Sequence, residues 1–109
     1  MATTYKVLGQ INPSATTATT LYTVPSATST VVSTIVICNQ TATAATFRVS
    51  VRQAGAAQTA AMYVAYDITV GASDSTALTL GLTLAATDVI TVYASTATLS
   101  FAAFGSEIA

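Results

Sequence analysis

The sequence has almost no charge and lacks two residue types that often carry chemistry. Its 109 residues include 3 basic and 4 acidic side chains, a formal net charge of −1, and neither histidine nor tryptophan. Three cations release too few counterions to hold nucleic acid on a basic surface. One cysteine without histidine leaves no ligand set for zinc and no imidazole for acid–base catalysis. These absences exclude nucleic-acid partners and zinc sites, and we expect no cofactor.

Cysteine and long apolar runs are equally scarce. The single Cys38 cannot form an internal disulfide, which argues against a disulfide-stapled secreted scaffold. Its sequence neighbours include no cation that would activate a thiol, so we predict a small buried side chain. Thr or Ser interrupts every apolar run before it could span a membrane. Residues 1–6 show neither a basic start nor an unbroken apolar run, so we expect no signal peptide. We therefore expect the chain to fold in a cytoplasm.

The residues that are abundant favour strands. The chain contains 22 Thr, 22 Ala and 10 Ser, and 52% of its residues are hydrophobic. Threonine and valine are β-branched and suit a pleated strand. The spacing of turn-like clusters predicts one all-β domain over residues 1–109, an antiparallel β-sandwich of jelly-roll or immunoglobulin-like type. About eight strands are expected, at Tyr5–Gln10, Thr19–Val24, Val31–Asn39, Thr46–Arg52, Ala61–Thr69, Ala77–Leu82, Val89–Ser95 and Thr98–Phe104.

Alternation within these runs predicts which faces meet the core. Phe47, Val49 and Val51 share one strand face, so Phe47 is expected in the core. The run 31–38 is apolar on both faces, which predicts either a central strand under a covering loop or a strand that lies against a partner subunit. Two further apolar faces are predicted from every second residue: Met62, Val64, Tyr66 and Ile68, and Leu78, Leu80 and Leu82.

The acidic residues give little support to catalysis. Asp67, Asp74, Asp88 and Glu107 are isolated from one another, whereas a paired-carboxylate hydrolase needs two acids in one cleft. Asp74 and Asp88 lie in turn-like segments, where their side chains are expected to bond nearby backbone. Ser and Thr hydroxyls lack an adjacent activating base. The sequence therefore predicts a protein that is not an enzyme and holds no metal.

A few side chains are candidates for docking to a partner. Arg48 and Arg52 lie on the same predicted strand face, roughly 13 Å apart. They are either solvated edge-protecting charges or contacts to carboxylates of a partner. Phe101 and Phe104 follow in the last predicted strand, where we also expect docking. A domain with so little charge is a poor free monomer, so we expect a symmetric homo-oligomer.

Sugar binding would require stacked aromatic rings. Five tyrosines are present, but their positions reveal no cluster, and Tyr63 and Tyr66 have a spacing that places them on opposite faces of a regular strand. Packing in the core or at an interface is therefore the expected role of the tyrosines. Exposed and clustered tyrosines would instead favour a glycan-binding module.

Six segments of the sequence carry a resemblance to a known group of proteins: Tyr5–Gln10, Thr20–Pro25, Val32–Ile35, Phe47–Arg52, Asp88–Ser95 and Phe104-Gly105. They resemble small β-rich virion structural proteins of tailed bacteriophages, including those that infect cyanobacteria. The resemblance implies a non-enzymatic β-sandwich component of the virion, assembled in the host cytoplasm. It implies capsid decoration, in which the chain cements neighbouring subunits of the major capsid protein, or a place in the tail, neck or baseplate with a fibre-attachment or receptor-binding role. No catalytic residue is implied.

Overall fold

The chain folds into two packed antiparallel sheets. The computed structural model describes residues 2–109. This all-β sandwich confirms the predicted fold class, with nine strands where about eight were expected. The strands are β1 (Thr3–Ile11), β2 (Thr19–Thr23), β3 (Ser29–Asn39), β4 (Ala45–Arg52), β5 (Tyr63–Val70), β6 (Ser75–Leu78), β7 (Leu82–Leu84), β8 (Val89–Ala94) and β9 (Leu99–Ile108).

The strand order separates the two sheets clearly. Sheet A has the order β1–β9–β3–β6, and β7 also pairs with β3 beside β6. Sheet B has the order β2–β8–β4–β5. Strand β3 is therefore central, one of the two alternatives that its composition left open, with β9 on one side and β6 and β7 on the other. Two short 3₁₀ turns, Gln53–Gly55 and Ala60–Met62, lie in the connection between β4 and β5.

The core lies between the sheets and is filled by alternate residues of both. Phe47 and Val49 of β4 are fully buried, as the alternation predicted. The ring of Phe47 meets the ring of Phe101 edge to face, with centroids 6.0 Å apart. Because Phe101 is 1% exposed, it has no surface to offer a partner, and its assignment as a docking residue is wrong. Its strand face points inward, so Phe101 packs the core from sheet A.

Two glycines allow close backbone approaches near β1. A Cβ on Gly9 would lie 2.2 Å from the carbonyl oxygen of Leu21 in β2, so glycine lets the edges of the two sheets approach each other. A Cβ on Gly105 would lie 2.0 Å from the carbonyl oxygen of Val31 on the neighbouring strand. Real side chains do not tolerate such distances. Both sites require glycine for steric reasons.

The predicted apolar face of β5 is wrong. In β5 the inward side chains are Ala65 and Val70, whereas Val64, Tyr66 and Ile68 are 39%, 56% and 37% exposed. Irregular pairing with β4 and a left-handed residue, Asp67 (φ 51°), break the alternation of this strand.

The predicted strand 77–82 is also interrupted. Gly81 has φ +63° and separates β6 from β7. Leu78 and Leu82 pack against the core, but Leu80 lies in the break and is 48% exposed. Residues 2–109 include no helix that is long and apolar enough to cross a membrane.

Candidate functional site

The outer face of sheet B carries a cluster of aromatic rings around one arginine. The Arg48 guanidinium carbon lies 4.2 Å from the ring centroid of Tyr66 and 4.5 Å from that of Tyr93. Tyr63 meets Tyr66 edge to face, with centroids 4.9 Å apart. A cation over an aromatic face is attracted by the ring quadrupole. We call Arg48, Tyr63, Tyr66, Asp67 and Tyr93 the tyrosine patch.

Asp67 completes the tyrosine patch by binding the same arginine. Arg48 donates from Nε to Asp67 Oδ1 at 2.6 Å and from Nη2 to Asp67 Oδ2 at 3.3 Å. This hydrogen-bonded pairing raises the pKa of the Arg48 guanidinium above its ordinary value. The arginine therefore stays charged and is held by its own chain, with its side chain 24% exposed. Its role as a contact for a partner's carboxylate remains a prediction.

The second predicted docking arginine lies at the other end of the same strand face. Arg52 is half-buried, and among residues 2–109 its Nε finds no hydrogen-bond partner. Ser50 lies between the two arginines and is buried. Its hydroxyl donates to Oε1 of Gln58, in the connection between β4 and β5, at 2.6 Å. The β4–β5 connection thus covers the middle of this face.

A shallow open depression borders the tyrosine patch. Its volume is about 400 Å³, and it is lined by Gln58, Thr59, Ala60, Tyr63 and Tyr66. Amide and hydroxyl groups beside aromatic rings are the kind of surface that binds neutral polar ligands such as sugars. The sequence did not reveal this cluster, because residues three apart, such as Tyr63 and Tyr66, lie on opposite faces of a regular strand. The irregularity of β5 brings their rings into contact.

The outer face of sheet A differs in chemistry. Tyr5 and Val7 of β1 are 84% and 47% exposed, and Phe104 of β9 and Val31 of β3 are half-buried beside them. The side chains surround an open depression of about 490 Å³, which Ser106 also lines. We call Tyr5, Val7, Val31, Phe104 and Ser106 the apolar face. Of the two predicted docking phenylalanines, Phe104 belongs to this surface.

A hydrogen-bonded chain joins the two sheets beside β1. Tyr22 of β2 donates to Glu107 Oε2 at 2.5 Å and lies 2.8 Å from the Thr30 hydroxyl, which therefore acts as the donor to Tyr22. Lys6 donates to Glu107 Oε1 at 3.1 Å. Burial and the hydrogen bond to Glu107 raise the pKa of Tyr22 to about 12, and the Tyr22 bond lowers the pKa of Glu107.

The remaining acidic side chains bind backbone. Asp88 accepts from the N–H groups of Ala54 at 2.8 Å and Ala85 at 2.9 Å, and Asp74 accepts from that of Ser75 at 2.8 Å. The prediction that both act as turn residues is confirmed. Within residues 2–109, no group of three His, Cys, Asp or Glu side chains is placed to hold a metal ion. The carboxylates serve structural contacts in this fold.

Comparisons with known proteins add no relative. No family model, no curated protein and no solved structure matches this chain.

Proposed function

We propose that this chain is a non-enzymatic structural protein of a bacteriophage virion, and that it decorates the capsid by binding neighbouring subunits of the major capsid protein. The resemblance of its segments to small β-rich virion proteins suggests the setting. The apolar face is the observation that carries a binding role. A rigid sandwich that presents such a face to a lattice of subunits stabilises them mechanically, without a chemical step.

The apolar face is suited to permanent contacts for a physical reason. Exposed aromatic and aliphatic side chains lose contact with water when a partner covers them, which stabilises an interface. The charge nearest to this face, Lys6, is already paired with Glu107. A partner can therefore cover the face without stripping water from an unpaired cation. Such contacts depend little on salt.

The copy number of the chain in purified virions tests the proposal. Quantitative mass spectrometry would compare it with the major capsid protein of the same particles. A copy number in simple ratio to the capsid subunits is expected for a decoration protein. A copy number that matches the tail or neck would move the chain there, and its absence from virions would refute the virion role.

The tyrosine patch favours a second candidate, a receptor- or glycan-binding module of the tail or baseplate. Tyr63 and Tyr66 are partly exposed, lie in contact and line a depression that also offers an amide and a hydroxyl. Glycan-array binding that is lost in Tyr66→Ala and kept in the matched variant Tyr5→Ala would support this role. Glycan binding unaffected by Tyr66→Ala, or none at all, would exclude the tyrosine patch as a sugar site.

A further inference from the structure

The two sheets have four edges, and among residues 2–109 β1 is the edge strand with the longest regularly paired stretch. At the opposite edge of sheet A, β6 and β7 span Ser75–Leu78 and Leu82–Leu84. In sheet B, β2 is five residues long with an irregularity, and the β5 edge is broken by its left-handed Asp67. Short or irregular edges resist pairing with another chain. Strand β1 has nine residues and regular pairing with β9 from Thr3 to Val7.

The pairing of β1 with β9 determines which backbone groups point outward. Ala2 and Ala109 exchange both of their hydrogen bonds, at 2.9 Å each. In an antiparallel pair, residues that exchange bonds alternate with residues that do not. The observed register therefore directs the N–H and C=O groups of Thr4 and Lys6 towards β9. Those of Thr3, Tyr5 and Val7 point away from the sheet.

We propose that a second copy of this chain pairs antiparallel with β1, with Tyr5 of the two copies opposite each other on the two-fold axis. Thr3 of each copy then lies opposite Val7 of the other. The three outward-pointing residues of each copy exchange about six hydrogen bonds in all. The result is one continuous sheet across two sandwiches, an isologous dimer.

Charge selects this alignment among the possible ones. With Tyr5 on the axis, Lys6 lies opposite Thr4 of the second copy. A shift that places Lys6 opposite Lys6 would set like charges side by side, which is unfavourable across a strand pair. A shift in the other direction, which places Thr4 opposite Thr4, pairs only Thr3 and Tyr5 of the outward-pointing residues within 2–109 and leaves Val7 without a described counterpart. Lys6 also keeps its own Glu107, so the dimer leaves no new unpaired charge.

The same alignment accounts for the most exposed large hydrophobic side chain among residues 2–109. Tyr5 is 84% exposed in the single chain and projects from the apolar face. In the dimer, the two Tyr5 rings lie side by side and the apolar faces join into one surface. This inference starts from the homo-oligomer expected from the low charge of the sequence. It goes beyond the proposed function by naming the strand that pairs, the partner and the alignment.

Disulfide trapping tests the alignment directly. In the Cys38→Ser background, Tyr5→Cys places two thiols opposite each other, with Cα atoms about 5.5 Å apart, within the range that a disulfide spans. The matched control Thr3→Cys places its thiols about 14 Å apart, since each lies four residues from its counterpart. We expect a covalent dimer from Tyr5→Cys and none from Thr3→Cys. Cross-linking by Thr3→Cys alone, or by neither variant, would overturn the alignment.

A proline substitution tests whether backbone pairing holds the dimer. Tyr5→Pro removes an outward N–H that β9 does not use, which an edge strand tolerates. Analytical ultracentrifugation should show a dimer for the unaltered chain and a monomer for this variant, with unchanged circular dichroism. Tyr5→Thr keeps the N–H and should retain dimerisation more than Tyr5→Pro. If Tyr5→Pro does not fold, the trapping pair decides.

A monomeric wild-type chain at high micromolar concentration, or a dimer that survives Tyr5→Pro, would refute β1 pairing. Either result would leave the virion role to its own test. A chain that is monomeric in solution yet abundant in capsids would separate the two proposals.

Discussion

The outer faces of the two sheets are built from the same limited set of residues but are completed in different ways. On sheet B, Arg48 is held between two tyrosine rings and bound by Asp67, while the β4–β5 connection covers Ser50. On sheet A, apolar side chains such as Tyr5 and Val7 remain exposed. The outer face of sheet B is thus partly covered by contacts within its own chain, whereas the exposed side chains of β1 on sheet A have no such cover.

If the sheets differ only on their outer faces, their inner faces should contribute equally to the free energy of unfolding. Phe47→Ala in sheet B and Phe101→Ala in sheet A should each lower the free energy of unfolding by about 3–5 kcal/mol, because each leaves a large cavity in the same core. Urea denaturation at one fixed protein concentration measures this. A Phe101→Ala variant with normal stability but lost association would show that Phe101 lies at an interface and not in the core.

The closure of sheet B should depend on the carboxylate that anchors the β4–β5 connection. Asp88→Ala removes the acceptor for the N–H groups of Ala54 and Ala85 and should cost about 1–3 kcal/mol of stability. Asp74→Ala is the matched control, since Asp74 is exposed and accepts one bond within its own turn. Thermal denaturation that ranks Asp74→Ala as the more damaging change would contradict this assignment.

The hydrogen-bonded chain between the sheets should respond to alkali. The pKa of Tyr22 is about 12 in the folded protein and about 10 in an unfolded chain, so folding favours the protonated phenol. Its contribution is fully present below about pH 10 and is lost as pH rises to about 12. As pH rises across this window, the free energy of unfolding of the unaltered protein should approach that of Tyr22→Phe, as denaturation curves at each pH would show. Parallel curves for the two proteins would show that Tyr22 does not link the sheets.

The same chain should respond to acid with the opposite sign. The pKa of Glu107 is lowered in the folded protein by the bond from Tyr22. Its contribution is present above the ordinary glutamate value of about 4.3 and is lost as pH falls through the lowered value. In Glu107→Gln, this loss of unfolding free energy at acid pH should be absent from denaturation curves.

The smallest effect is expected on the surface of the tyrosine patch. Tyr66→Ala removes the edge-to-face contact with Tyr63, which is worth about 0.5–1.5 kcal/mol. Leu80→Ala is a control at an exposed position without such a contact. Chemical denaturation of both variants measures the difference. Equal stabilities would mean that the patch does little to close sheet B.

The sequence predicted the strands well because β-branched residues are abundant and turn-like clusters separate the runs at a spacing typical of a sandwich. Alternation in residues 47–52 predicted Phe47 in the core, and the two apolar faces of residues 31–38 gave a central strand as one of two alternatives. It placed the wrong face of β5 inward, since alternation counts large apolar side chains. Here a small residue, Ala65, faces the core, while Tyr66 faces solvent. Apolar periodicity shows that a strand has two kinds of face without showing which one is buried.

The candidate surfaces were less predictable because they depend on pairing between distant strands. Arg48 and Asp67 are 19 residues apart and meet only because β4 pairs with an irregular β5. The tyrosine patch has no local signature for the same reason. Phe101 and Phe104 lie three residues apart in the last strand, and the alternation of that strand sends one inward and the other outward. Treating them as a pair concealed the difference.

The position of β9 between β1 and β3 also constrains how the protein folds. This strand follows all the others in chain order, yet it joins the first strand to the third and occupies an interior place in sheet A. Sheet B, by contrast, needs no residue beyond β8. During synthesis, sheet B can therefore assemble while β1 and β3 still lack the neighbour that joins them. Pairing of such distant segments is slow, so the step that limits folding should be the insertion of β9.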